Sequence, residues 1–376
     1  MHPEPPEIVE VRGVNFFPLH FCVWKGKMAT RSSYDVIVIG AGPAGATAGC
    51  ELAQRGLDVL IIDKEKLPRD KTCAGLVSTK ATEIINFDIS PLVEQVIYNV
   101  TFSFELGEEF TVHGQTPVGY TVRRDRFDYF LAMKAEEAGA SIVDGEEVKK
   151  LEVLSNEVKI FTANHTFTAP IIIGADGAYG ITARSAGLMR RVETRIAMSA
   201  NVKAPRNKEN LDSTIKIDFG VVTGGYGWVF PRKEYLSVGA GTYMQFVKEL
   251  KPYVMKLLSS LGLESASVER FKSHLLPSRN PEEPIQRGRI LLLGDSAGLT
   301  DPMWGEGIYY AMKSAQLAAP VVEKCLKEGE IDLKPYQDAV DSEIMPMFNS
   351  SRTLLSFYSH FPRVYFDLLR GRQNGC

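Results

Sequence analysis

The sequence predicts an α/β protein: a parallel-sheet, dinucleotide-type domain interwoven with an antiparallel β-sheet domain and followed by a helical C-terminal segment. Three observations carry this expectation. A buried strand, a glycine loop and a helix run together in "VIVIGAGPAGATAGCELAQ", Val36 to Gln54. A second apolar strand leads through an acid to a glycine-opened helix in "RILLLGDSAGLTDPMWGEGIYYAMKSA". Between them lie segments of alternating polarity such as "VTFSFEL" and "FTVHG", the pattern of half-exposed antiparallel strands.

Taken in order, residues 1–33 begin acidic and proline-rich, and their apolar part is interrupted by Pro18 and His20. A signal peptide needs a basic start and a clean apolar run, so this segment reads as a disordered extension, with Met28 a second starting point close to the first strand. Val36–Ile39 is wholly apolar and β-branched, as suits a strand buried on both faces. Gly40, Gly42 and Gly45 follow in G-x-G-x-x-G spacing. The first allows the tight turn, the second lets the backbone approach a pyrophosphate, and the third lets the helix sit close to the sheet. The helix Ala44–Arg55 aims its N-terminal N–H groups at the phosphates, and Asp63 ends the second strand where a ribose-binding acid belongs. This loop alone fits NAD, NADP or FAD.

Further along, a helix starts near Asp125, residues 190–245 read as largely β, Met244–Leu261 as helical, and the last fifty residues as amphipathic helices. The expected domains are 34–90, 124–186 and 282–325 for the nucleotide, 91–123 and 187–281 for the substrate, and 326–376 for the C-terminal helices. A net charge of -3 gives no electrostatic case for nucleic acid. Five scattered cysteines with no C-x-x-C indicate neither a disulfide framework nor a metal site. They suit a reducing, cytoplasmic location, and no apolar run is long enough to cross a membrane.

The second glycine element decides between the nucleotides. Asp295 at a strand's carboxyl end offers a carboxylate to a polyol chain, and Gly305 and Gly307 open a helix whose N-terminus favours a group gaining negative charge. A flavin has both features and a nicotinamide dinucleotide lacks the first, so FAD is the expected cofactor.

With these residues in hand, the chain resembles a known family. "GAGPAG", "RRDRFD", "GADG" and "GDSAG…GEGI" are similar to the FAD-binding signatures of the flavoprotein monooxygenase-like superfamily, a Rossmann-type fold. "KTCAGLVS", "GYGWVFPRKEYLSVGAG" and "DPMWGEGIYYAMKSAQLAA" resemble the geranylgeranyl reductase family, whose Y-x-W-x-F-P motif, seven residues and G-x-G the middle stretch reproduces. The glycine run after Cys73 is shorter than in relatives. The resemblance implies FAD contacts from Ala44 and Gly45 to the pyrophosphate and from Asp63 to the ribose. It implies further contacts from Cys73, Ala74, Arg124 and Val148, from Asp295 near the ribityl-phosphate, and from Gly307 and Ile308 to the flavin ring. Asp176 would brace the pyrophosphate or a reductant.

Read as a strand, Tyr226, Trp228 and Phe230 share one face, while Gly225 and Gly227 leave the other nearly bare. Such a face is a sandwich core or, with the resemblance, the wall of a prenyl tunnel. The implied reaction is hydride transfer from reduced FAD to a C=C bond of a prenyl chain, with NADPH or reduced ferredoxin as electron donor and Cys73 or Tyr226 as proton donor. A flavin monooxygenase or halogenase and a non-catalytic flavin protein are the competing readings. The tail "LLSFYSHFPRVYFDLLRGR" is either a peripheral membrane surface or a helix pair covering the sheet.

Overall fold

The computed structural model describes residues 31–204, 211–263, 268 and 270–371. Of the N-terminal extension, residues 1–30, Met28 included, lie outside the described residues. Residues 31–33 belong to the fold: Ser32 accepts a backbone hydrogen bond from Thr168, and Arg31 pairs with Asp58.

Four apolar strands build the centre of a six-stranded sheet. Val36–Ile39 pairs in parallel with Val59–Asp63 on one side and Ile171–Gly174 on the other. Ser141–Asp144 and Ile290–Leu292 extend it in parallel, and Gln286–Arg287 closes one edge antiparallel. The inner strands are buried along their whole length, which is why they read as continuous β-branched runs. Helices Pro43–Gln54, Arg124–Glu137 and Ile308–Glu328 pack together on one face. A three-stranded antiparallel sheet, Lys150–Val153, Val158–Phe161 and Thr166–Ala169, covers the other.

The second large sheet has seven strands, from Lys272–Arg279 through Val192–Lys203, Tyr235–Tyr243, Tyr226–Pro231, Thr214–Phe219 and Asn99–Phe104 to Glu109–His113. It is antiparallel except at one place: Thr214–Phe219 runs parallel to Asn99–Phe104. The two strands come from segments more than a hundred residues apart, so no hairpin constrains their direction. Helix Val247–Ser260 covers the back of this sheet with Leu250, Tyr253, Val254, Leu257 and Leu258. The bare side of the Tyr226 strand faces this helix, and a Cβ on Gly227 would overlap the Tyr253 ring. Tyr253 in turn donates to Asp218 at 2.9 Å, and Ser103 donates to the same carboxylate at 2.6 Å. A small sheet of Leu76–Ser78, Gly119–Val122 and Val93–Ile97 takes strands from both sides of the expected boundary at residues 90/91.

The C-terminal helices Lys334–Glu343, Met345–His360 and Pro362–Gly371 finish the chain. Tyr358, Tyr365 and Phe366 are buried against Phe219, Phe104 and Phe110 of the seven-stranded sheet. Among the described residues no helix is long and apolar enough to cross a membrane.

The closest backbone approach is at the first glycine loop. Gly40 has φ +107°, a region open to glycine, and a Cβ there would overlap the Ala175 carbonyl; a Cβ on Gly45 would overlap the Gly40 carbonyl. Gly45→Ala must therefore move backbone rather than a side chain. It should cost at least the ~1–3 kcal/mol typical of overpacking. Thermal unfolding followed by circular dichroism should show a clear drop in midpoint; an unchanged midpoint contradicts this packing.

Candidate functional site

The two large sheets meet over one cavity of about 1000 Å³, at the upper end of the ~300–1,000 Å³ usual for ligand pockets. Its polar end is built on the parallel sheet. The helix Pro43–Gln54 has an extended Gly42 at its N-cap with no side chain over its first N–H groups, so those donors face the cavity. Asp63 turns its carboxylate back toward the loop. Oδ2 accepts the Ala41 N–H at 2.7 Å and Oδ1 the Glu65 N–H at 2.9 Å. The acid at the end of the second strand thus fixes the glycine loop while lining the same cavity.

Of the residues singled out from sequence, Gly40, Gly42, Ala44, Asp63, Cys73, Ala74, Arg124, Val148, Asp176, Tyr226, Trp228, Phe230, Asp295, Gly307 and Ile308 all line this cavity. Gly45 does not; it sits at the close contact between this helix and the Gly40 carbonyl.

Three of these residues also make contacts within the protein. Arg124 Nε and Nη2 form a bidentate pair with Asp128 at 2.7 and 2.9 Å, both groups being buried. Burial opposes the Arg124 charge, and the Asp128 carboxylate outweighs it. Arg69 stands over the glycine loop and lines the same cavity. Its Nη2 lies 3.3 Å from where a Gly42 side chain would begin, and its ion-pair contacts to Asp63 and Asp128 are loose, at 3.5 and 3.3 Å. Asp176 is committed inside the protein, accepting from the Thr182 N–H and hydroxyl and from Ser296, each at 2.9 Å. Tyr226 donates its hydroxyl hydrogen to the Trp304 carbonyl, and burial pushes its pKa up. A phenol so placed gives up its proton less readily than a free one.

Sequence reading also missed a cluster. Lys71, from the loop after the second strand, meets His274 of the seven-stranded sheet and Asp295 of the loop after Ile290–Leu292. Burial would raise the Asp295 pKa, but the His274 hydrogen bond and the Lys71 charge bring it down to about 2. Its other oxygen, Oδ1, accepts from Thr300 at 3.0 Å and lies beside Gly307, the N-cap of the long helix.

The other end of the cavity is apolar. Alternate residues of adjacent strands form its floor: Val100 and Phe102, Ile215 and Ile217, then Tyr226, Trp228 and Phe230. Opposite Trp228 the partner strand carries Gly239, and the indole lies over it. The floor therefore has a ring wall where a side chain on residue 239 would otherwise stand.

A glycine loop ending in a helix N-terminus, an acid on the next strand, a guanidinium over the loop and a second acid beside a second helix N-terminus match the parts of FAD. The fold and site are those of a flavin-dependent oxidoreductase. Residues 33–333 match the family model described as FAD binding domain, and the chain belongs to that family.

Within it, the chain is 30% identical over 321 residues to a digeranylgeranylglycerophospholipid reductase of Methanocaldococcus jannaschii, covering 81% of each chain. It is 29% identical to a chloroplastic geranylgeranyl diphosphate reductase of Oryza sativa, over 86% of this chain and 74% of that one. It is also 35% identical to an uncharacterized protein of Methanosarcina barkeri, over 85% of this chain and 82% of that one. A geranylgeranyl bacteriochlorophyll reductase-like protein of Thermoplasma acidophilum shares the fold with a TM-score of 0.78 at 23% identity, covering 87% of this chain and 88% of that one. The flavin-dependent brominase Bmp2 does so with a TM-score of 0.70 at 20% identity, covering 90% of each. The chain is a member of the geranylgeranyl reductase family of FAD-dependent oxidoreductases.

The two arginines should separate in experiment. Arg69→Met should weaken FAD binding by about tenfold or more, the loss of one charge-assisted contact of ~1.5–3 kcal/mol, with little change in thermal midpoint. Arg124→Met should instead destabilise the fold, since unpairing a buried charge costs ~3–5 kcal/mol, moderated here by Arg69 beside Asp128. Flavin titration and thermal unfolding of both variants check the assignment.

Proposed function

We propose that this protein transfers a hydride from reduced FAD to C=C bonds of a prenyl chain in isoprenoid or lipid biosynthesis. The observation that carries the reading is the division of one cavity into a phosphate-facing polar end and an aromatic-walled apolar end. A prenyl chain gains affinity almost only by leaving water, at ~0.8 kcal/mol per buried CH₂, and the Tyr226–Trp228–Phe230 face with its Ile and Val neighbours supplies that surface. FAD, when bound and reduced, supplies the hydride.

The residues of the chain do the rest. The glycine loop, Asp63 and Arg69 hold the nucleotide, and Asp295 with the Gly307 helix end faces its flavin half. The aromatic floor orients the alkene and excludes water, which matters because an unactivated alkene reacts only when aligned. Cys73, in preference to Tyr226, is the proton donor. Its sulfur accepts the Gly75 N–H at 3.3 Å and lines the cavity near Ala74. Electrons reach the flavin from NADPH or from reduced ferredoxin, and rapid-mixing reduction with each donor separates the two.

The direct test is anaerobic incubation of the chemically reduced protein with geranylgeranyl compounds and mass spectrometry for added pairs of hydrogens. Hydrogenated product supports the reading. A product formed only with oxygen would instead indicate a monooxygenase or halogenase. Trp228→Ala should keep FAD bound, since the indole stands on the seven-stranded sheet and the glycine loop on the parallel one. It should weaken long chains more than short ones, part of the ~3–5 kcal/mol that losing a buried aromatic costs appearing as substrate affinity. An unstable variant with unaltered chain-length preference would return Trp228 to a core role.

The reading also gives the C-terminal helix a role at lipid. Tyr365 and Phe366 face the sheet, while Phe361, Val364 and Leu368 form an outward stripe about half exposed, with Arg363 and Arg370 beside it. We infer that this stripe rests on the membrane from which a prenyl substrate is drawn. Phe361→Asp with Leu368→Asp should abolish flotation with anionic liposomes and leave FAD content unchanged; equal flotation removes the inference.

A further inference from the structure

The Lys71–His274–Asp295 cluster joins a cation and a carboxylate through one imidazole. His274 Nε2 lies 2.8 Å from Lys71 Nζ and 3.2 Å from Asp295 Oδ2, and Nδ1 lies 3.3 Å from Lys71 Nζ. A neutral imidazole carries one N–H, and a ring nitrogen either donates or accepts. With the hydrogen on Nε2, His274 donates to Asp295 while Nδ1 accepts from Lys71. With it on Nδ1, Nε2 accepts from Lys71 and Asp295 Oδ2 loses that donor. The first arrangement joins the two charged groups through one imidazole, and all three residues line the cavity.

The surroundings narrow what the cluster would meet. Arg69 and Arg124 are set against Asp63 and Asp128, Lys272 against Asp70, and the Tyr179 ring stands edge-on to His274 at 5.9 Å. Lys71 makes no direct hydrogen bond to a carboxylate among the described residues, its link to Asp295 running through His274; Lys64 and Arg184 line the same cavity, without that imidazole contact. Asp295 sits against Gly307 at the N-terminus of helix Ile308–Glu328, so the cluster stands beside the helix end facing the flavin half of the site.

We propose that Lys71, steered by His274, is the cation that balances the negative charge a flavin acquires on reduction, and that Asp295 is left to bind the neutral polyol chain. Two electrons and one proton convert neutral oxidised flavin into a reduced form of charge -1, and an ammonium next to it favours that form over the oxidised one. The Lys71 pKa is lowered, chiefly by burial, and the Asp295 charge opposes that shift. This rests on the assignment of the cavity to FAD but not on the prenyl substrate.

The test is the two-electron midpoint potential of bound FAD, titrated anaerobically with dithionite, together with the dissociation constant of oxidised FAD. Lys71→Met and Lys71→Gln should each lower the potential by a tenfold change in reduced-over-oxidised affinity, which is about 30 mV for a two-electron couple. Lys71→Arg should restore most of it, and His274→Leu, which leaves the charge but not its holder, should give a smaller drop. A potential unchanged in both neutral variants overturns the proposal, including the case in which oxidised and reduced FAD weaken equally, as a purely structural lysine would cause. A drop in Lys71→Arg as large as in Lys71→Met also overturns it. Because no prenyl compound enters the measurement, these outcomes leave the substrate reading untouched. An unsubstituted protein that takes up no FAD would overturn both.

Discussion

The architecture depends on a contact too close for any side chain. At Gly40, Gly45 and Ala175 three pieces of backbone approach so tightly that a Cβ on either glycine would meet a carbonyl oxygen. That approach presses the helix Pro43–Gln54 onto the parallel sheet and leaves its first N–H groups facing a cavity instead of a protein partner. Asp63 then fastens the loop from the neighbouring strand through the Ala41 N–H. The phosphate-binding geometry is thus made by backbone alone, and the nearby charged side chains are arranged around it.

Those charges are distributed so that the buried ones cancel. Arg124 and Asp128 form a closed fork, which frees Arg69 to stand over Gly42, and the cavity is left with a small set of charges that a ligand could engage. The second sheet provides the opposite environment. Its front face is aromatic and aliphatic, and its back is sealed by the Val247–Ser260 helix through Tyr253, which needs the missing side chain at Gly227. A polar end and an apolar end therefore share one volume. The Tyr253–Asp218–Ser103 bonds satisfy the polar groups beneath the floor.

Much of this was legible because it is local. Strand, glycine loop, helix and Asp63 lie within thirty residues, and each is specified by a short-range rule: β-branched burial, glycine φ, helix N-terminal donors, strand-end position. The alternation Tyr226–Trp228–Phe230 is likewise a period-two property of one strand, and the structure keeps all three on one face. The tail's two readings were also both local ones. The fold uses one side of Pro362–Gly371 to cover the sheet and leaves the other exposed.

What only the tertiary structure decided lies between distant segments. Lys71 and His274 are 203 residues apart in sequence, and nothing in the local pattern of either places them together. Which of Arg69 and Arg124 found Asp128 as a bidentate partner was a matter of one helix turn and one loop path. The parallel pairing of Thr214–Phe219 with Asn99–Phe104 depended on how the sheet closed around segments with no short connection. Sequence by itself determined the backbone elements and the cofactor class, because glycine sterics and side-chain periodicity act within a few residues. Tertiary packing determined which charges pair and which remain to meet a ligand, because an ion pair depends on distance in space and on desolvation, and chain order fixes neither.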